Sequence, residues 1–261
     1  MTRMLHRTAL GLLLPAIISC SVKEDRSSCP CYLQVRFTDP DASGPSLLLG
    51  WDAGQAFREN VLMEECRPYW TRPVKKGHLT LSASRGVRSS STEGRRVTVP
   101  AGAQSDSLYA SLYPVDATGE TAEVGVTFRK QFATVMLDIR KTAGDLQDYR
   151  FSVDGNTCGI DLEDLSPIQG PFHFTPAPTE GESVVRFRIP RQADDALSLS
   201  IRYGEADPAV FALGAIIRDM GYSWKAEDLQ DIYVSIDLTQ GEIHVGIGDW
   251  ENGMNLPKAE T

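Results

Sequence analysis

Ile232-Tyr233-Val234-Ser235-Ile236-Asp237-Leu238, then Thr239-Gln240-Gly241, then Ile243-His244-Val245-Gly246-Ile247 is the stretch from which the fold is read. Apolar residues fall at every second position on both sides of a short glycine-containing connection, the pattern of two half-buried strands joined in a hairpin. Working back from it, the same alternation recurs in Leu33-Gln34-Val35-Arg36-Phe37, Ala133 to Ile139, Val184 to Ile189 and Leu197 to Tyr203. Shorter strand signals stand at His78 to Ala83, Arg96 to Val99, Leu108 to Tyr113, Val124 to Phe128 and Tyr149 to Val153. Gly, Pro and Ser clusters separate them, as in a β-sandwich.

Long helical periods are absent, which argues against parallel α/β architectures and their cofactor sites. Gly54 to Cys66, with Phe57, Val61 and Leu62, is expected to form a helical turn or two against the sheet. Arg85 to Arg96, with Ser89, Ser90, Ser91 and Gly94, is expected as a mobile polar loop whose arginines a trypsin-like protease could cut.

The chain opens with Arg3, His6 and Arg7, a small and apolar run from Thr8 to Ile18, and Ser19 before Cys20. These are the basic, apolar and cleavage regions of a secretory leader. The run is too short for a membrane-spanning helix, which needs about 20 residues. The order Ile17-Ile18-Ser19-Cys20 resembles the bacterial lipoprotein cleavage box, in which the cysteine is lipidated and becomes the new N-terminus. Cys20 is therefore the expected lipidation site, and several acyl chains anchor stably where one would not. Acidic residues soon after it, in Lys23-Glu24-Asp25, resemble the surface-export signal of Bacteroides-type lipoproteins. An outer-membrane, surface-exposed position is expected.

Taking off residues 1–19 leaves 242, and losing Arg3 and Arg7 moves the formal charge from −9 to −11. So acidic a surface argues against nucleic acid as a partner. The expected organisation is a leader over 1–19, a lipidated tether over 20–31, an N-terminal β-sandwich over 32–121, a C-terminal one over 122–250 and a tail over 251–261.

Cys29, Cys31, Cys66 and Cys158 remain after the tether begins, on an export route that permits disulfides. Cys29 and Cys31 are too close to pair with each other, so the expected bridge joins Cys29 or Cys31 to Cys66. Closing such a loop contributes about 3 to 4 kcal/mol in the chain-entropy model. Cys158 reads as a small buried apolar group.

Patterns that could carry chemistry fail on their details. Asp154, Asn156, Gly159 and Asp161 approach the opening of a calcium loop, but Cys158 stands at its fifth position and Leu165 where a closing Glu belongs. A tight turn is expected there instead. His78, His173 and His244 are widely spaced, which leaves a metal site unsupported. Neither a Gly-x-Ser-x-Gly elbow nor a phosphate loop occurs. The carboxylate pairs Glu163 with Asp164 and Asp194 with Asp195 read as solvated loop charges, and Trp51, Trp70, Trp224 and Trp250 as packing. No catalytic residue, metal or cofactor is expected, and the chain is read as a non-enzyme.

Three stretches resemble a known family. They are Cys20-Ser-Val-Lys-Glu-Asp-Arg-Ser-Ser-Cys29-Pro30, then Phe132-Ala133-Thr134-Val135 with Gly159-Ile160-Asp161 and Pro167-Ile168 to Gly170, then Leu213-Gly214 through Tyr222-Ser223-Trp224 and Leu229 to Asp237, ending at Trp250. They resemble the fimbrillin-like fimbrial anchor and assembly proteins of Bacteroides-type bacteria, the FimB-like group. The resemblance implies two tandem transthyretin-like β-sandwiches, other fimbrial subunits as partners, and assembly by strand exchange. Only Glu251 to Thr261 follow the last strand, with Gly253 and Pro257 spoiling regular pairing, so a donor strand is not apparent. That departure fits an anchor that receives its neighbour. The rival expectation is a surface glycan-binding lipoprotein or free adhesin, for which exposed coplanar tryptophans would be the sign.

Overall fold

The computed structural model describes residues 26, 28–38, 45–52, 55–62, 68–140, 145–179, 184–238 and 242–248. Within these the chain is all-β. In chain order the strands are β1 (Cys31–Phe37), β2 (Pro45–Asp52), β3 (Gln55–Leu62), β4 (Trp70–Val74), β5 (His78–Arg85), β6 (Ser91–Glu93), β7 (Arg96–Thr98), β8 (Tyr109–Asp116) and β9 (Thr121–Val126). There follow β10 (Phe132–Arg140), β11 (Tyr149–Asp161), β12 (Pro167–Phe174), β13 (Val184–Pro190), β14 (Ser198–Tyr203), β15 (Ala209–Phe211), β16 (Asp231–Asp237) and β17 (Glu242–Gly248), with one helix, α1 (Leu213–Asp219).

Alternation decides which way each strand faces. In β1 the odd positions Cys31, Leu33 and Val35 are fully buried, and they meet Leu48, Leu81, Ala83 and Val115 from the opposing sheet. This first core lies between a three-stranded sheet of order β4-β1-β9 and a four-stranded one of order β3-β2-β5-β8. The second core joins β13-β10-β16-β17 to a sheet built on the long β11, with Val135, Leu137, Phe151, Phe187, Leu199 and Val234 at its centre. The expected hairpin is present as β16 and β17, antiparallel from Asp231 opposite Gly248 to Asp237 opposite Glu242.

Four expectations are corrected. Of the segment expected as a helical turn, the described part, Gln55–Leu62, is β3, a hairpin partner of the unanticipated β2. Phe57 and Val61 are four apart, a spacing that satisfies both helical and strand periods, so periodicity could not choose. Gly50 decides it: a Cβ there would overlap the Phe57 ring, which instead covers the bare β2 backbone and contacts Trp70 at 6.1 Å.

Val124 to Phe128, expected to open the second series, belongs to the first sheet. β9 runs parallel to β1, with Tyr32 opposite Thr121 and Phe37 opposite Val126, so the first core continues past Thr121 to Phe128. Conversely, β7 joins the second sheet, Val97 lying opposite Ile160 of β11. The expected polar loop thus contains β6, which pairs with β7, while β7 itself lies where a strand was expected, at Arg96 to Val99. Asp154 to Asp161, expected as a turn, runs through the body of β11, whose register shifts twice between Gly155 and Gly159. Such bulges absorb the turn-forming residues without ending the strand.

The outer face of the β3-β2-β5-β8 sheet is not left to water. Leu47, Leu49 and Trp51 on β2 pack with Val97, Ile160, Leu162 and Leu165, forming a third apolar cluster between the two cores.

Candidate functional site

The chain passes from the first core to the second through Arg129-Lys130-Gln131, and this crossing is held tightly. The Ala110 amide donates to the Arg129 carbonyl at 2.8 Å and the Gln131 amide to the Leu108 carbonyl at 2.9 Å. Gln131, 2 % exposed, donates from Nε2 to the Ala110 carbonyl at 3.0 Å. Its Oε1 accepts from Nε of Arg191 at 2.9 Å.

Arg191 is 7 % exposed, and the contacts of its guanidinium are to neutral oxygens: Gln131 Oε1, the Glu227 carbonyl at 3.3 Å, and the Trp224 carbonyl. Burial pulls its pKa down, opposed by Tyr222 and Asp228. A buried charge kept in place by carbonyls ties the crossing segment, the end of β13 and the 222–229 segment into one unit. Beside it Lys130 pairs with Asp231, whose Oδ1 also accepts the Thr134 amide at 2.8 Å.

Around this network opens a groove of about 970 Å³, bordered by Ala110, Leu112, Leu165, Gln192, Trp224 and Lys225 among others. Two buried polar atoms of its lining residues, Trp224 Nε1 and Gln192 Oε1, have no hydrogen-bond partner. On the rim, Leu165 has φ +59°, a left-handed backbone for which a branched side chain is ill suited. The Ser166 amide, donating to Asp164 Oδ1 at 2.8 Å, and the packing of the leucine into the interface cluster hold it there.

Asp106 anchors the segment that precedes β6. Its carboxylate, 5 % exposed, accepts the amides of Arg88, Ser89 and Ser90 at 2.8, 2.9 and 2.8 Å and the Ser89 hydroxyl at 2.8 Å. Burial pushes its pKa up, but the Ser90 and Arg88 amides and the Ser89 hydroxyl outweigh that and hold it at about 2. A depressed folded-state pKa adds stability above the unfolded value near 4, and that stability drains away as pH falls toward 2. In Asp106→Asn, urea unfolding is expected to lose about 2 kcal/mol at neutral pH, and the gap to the parent should close across that acidic window. A gap independent of pH would rule out the charged contacts as its source.

The sequence-derived site residues are dispersed. Cys20, Cys66 and Trp250 lie outside the described residues. Cys29 is an exposed free thiol and Cys31 a fully buried one, its pKa raised by burial against the opposing charge of Lys76. Cys158 is half-buried rather than buried. Trp224 is 9 % exposed and packs edge-on to Tyr222 at 4.7 Å, as expected of a packing residue. Trp51 and Trp70 make no shared platform: the first packs in the interface cluster, the second against the first core.

The carboxylate pairs point to separate partners, Glu163 to Arg95 at 2.6 Å, Asp164 to Ser166, Asp194 to Asn156 at 2.7 Å and Asp195 to Arg218. His173 meets Asp154 at 2.7 Å and Thr175 at 3.5 Å, but His173 and Thr175 are exposed, Asp154 is half-buried, and the row borders none of the grooves described. Sequence reasoning missed Gln131 and Arg191 altogether. Polar residues in and beside a connection read as solvated, and only the contacts of the fold reverse that.

No protein-family model matches the chain, and no curated protein matches it by sequence. Solved structures do match in fold. A Bacteroides thetaiotaomicron protein provisionally assigned as polysaccharide-binding superposes with a TM-score of 0.61 at 13 % identity, over 84 % of this chain and 96 % of that one. A provisionally assigned adhesin from the same organism gives 0.57 at 14 %, over 87 % and 98 %. The fimbrial anchor protein Mfa2 of Porphyromonas gingivalis gives 0.53 at 12 %, over 85 % and 98 %. The resemblance read from the sequence thus extends to the fold.

Proposed function

We propose that this chain is a lipid-anchored, cell-surface fimbrial subunit, an anchor or assembly component that receives a neighbouring subunit by strand exchange. In this reading its two cores are tandem transthyretin-like sandwiches behind a cleaved leader, it is held to the outer membrane by lipid on Cys20, and it carries no catalytic residues. The observation that carries it is the fold shared with Mfa2 over nearly the whole of that protein. The lipoprotein-type cleavage box at Ile17-Ile18-Ser19-Cys20 supports the anchoring part.

Among the described residues, the β4-β1-β9 sheet has one strand fewer than the sheet it faces. Its edge strands β4 and β9 each have, among the described residues, one side without a partner strand, the chemistry strand addition requires. If a bridge to Cys66 forms, the exposed Cys29 is the accessible partner, because the Cys31 thiol is enclosed by the first core.

The test is affinity capture of the tagged full-length chain from its native envelope, beside a Cys20→Ala form. Recovery of a ladder of fimbrial subunits, with the variant lost from the membrane fraction, is the expected result. Capture without any subunit would remove the assembly role, and a variant that stays in the membrane would remove the lipid anchor.

A further inference from the structure

A second hollow of about 490 Å³, sharing no lining residue with the junction groove, lies at the β2-β5-β8 sheet, and Trp51, His78, Thr80, Pro114 and Asp116 line it. The strand register puts them together. Trp51 stands opposite Thr80 and Thr80 opposite Pro114, while His78 stands opposite Asp116 two residues along on the same face. Its volume falls within the roughly 300–1,000 Å³ typical of small-molecule pockets.

The parts differ in how firmly they are held. The Arg95 guanidinium lies 5.1 Å from the centre of the Trp51 ring and is itself paired with Glu163, so the indole is fixed at the edge of the interface cluster. Asp116 Oδ1 accepts the Thr118 hydroxyl at 2.7 Å and the Thr118 amide at 3.0 Å, which keep the carboxyl below its usual pKa and therefore ionised. His78 Nδ1 stands 3.8 Å from that oxygen. Both side chains remain largely in solvent, His78 at 82 % and Asp116 at 64 %.

We propose that this row is a binding site for a pyranose residue of a neutral glycan. One face of a pyranose is a sheet of C–H bonds, which suits the part of the indole that Arg95 leaves uncovered and the exposed ring of Pro114. Its rim is a set of neighbouring hydroxyls, each both donor and acceptor. An ionised carboxylate accepts from them strongly, and an imidazole and a threonine hydroxyl can both give and take. Other ligand classes fit less well. An extended peptide needs unpaired backbone, whereas β5 is paired on both sides. A phosphate or carboxylate would meet Asp116 with only His78 to offset it, since Arg95 is engaged by Glu163.

The test is saturation-transfer NMR on the soluble Cys20→Ala chain with the methyl glycosides of glucose, galactose, mannose and N-acetylglucosamine. At least one should receive saturation, with millimolar affinity, and weaken by about tenfold or more in Asp116→Ala and in Trp51→Ala, while Trp70→Ala leaves it unchanged. Trp51→Ala alters the interface cluster and could unfold the chain, whereas Asp116 is exposed, so Asp116→Ala decides the matter alone. No transfer from any of the four, or equal transfer to parent and Asp116→Ala, overturns the proposal. Subunit capture from the envelope does not depend on Asp116, so this site and the fimbrial reading fail separately.

Discussion

Arg191→Met is expected to lower the unfolding free energy by about 3 kcal/mol, a large share of the roughly 5–15 kcal/mol that holds a domain folded. Methionine replaces much of the apolar stem, so the loss is not chiefly one of volume. What disappears are the donors to Gln131 Oε1 and to the Trp224 carbonyl, whereas the Glu227 carbonyl keeps Gln131 Nε2 at 3.3 Å. Each buried acceptor left without its donor costs about 1–3 kcal/mol. Release of the charge from a poorly solvated site offsets part of the sum. Arg191→Lys should recover only a fraction, because a single ammonium cannot serve three oxygens spread around a planar fork. Urea unfolding at an unchanged m-value reads the difference. A shift below about 1 kcal/mol would mean that the network positions the crossing segment without stabilising it.

Gly159→Ala is the second substitution with a large expected effect. A methyl group at this position would overlap the Val97 carbonyl oxygen and lie 3.0 Å from the Thr98 Cα, both backbone atoms that cannot rotate away. Either β7 leaves β11 or the sheet spreads, at about 2–3 kcal/mol. The cost is not confined to one ladder, since Val97 and Ile160 are also part of the interface cluster between the cores. Limited trypsin digestion gives the sharper readout. The parent should be cut slowly at Arg95 and Arg96, whereas the variant should be cut there first. Digestion at equal rates would mean that β7 stays docked despite the added carbon. Gly94→Ala is a useful contrast, having nothing within 4 Å of its added carbon but a φ of +59°. Its expected cost is only about 1 kcal/mol.

How far the fold could be read depended on whether each strand leaves a local mark. The β16–β17 hairpin did, because both partners alternate and meet across a short turn. β1, β10, β13 and β14 did through their own alternation, although their partners lie far along the chain. β9 alternates too, but its parallel pairing with β1 joins residues some ninety positions apart, and alternation does not encode the choice of partner. β7 is three residues long, too short for its period to say which sheet it enters. At the junction, no local pattern marks Gln131 and Arg191, and only their carbonyl partners, supplied by the tertiary fold, make them structural.

If the chain is anchored through Cys20 as proposed, the order β4-β1-β9 has a mechanical consequence. β1 is the first strand among the described residues and lies in the middle of its sheet, paired with β4 from Cys31 to Val35 and with β9 from Tyr32 to Phe37. Tension arriving along the chain therefore acts lengthwise on a strand gripped from both sides. The ladders must slide and break together instead of opening one bond at a time from an edge, so load is shared across the pairing before any of it yields. Resistance to pulling is governed by the rate of forced unfolding rather than by equilibrium stability. A chain of modest thermodynamic stability can in this way hold a sustained pull through its first strand.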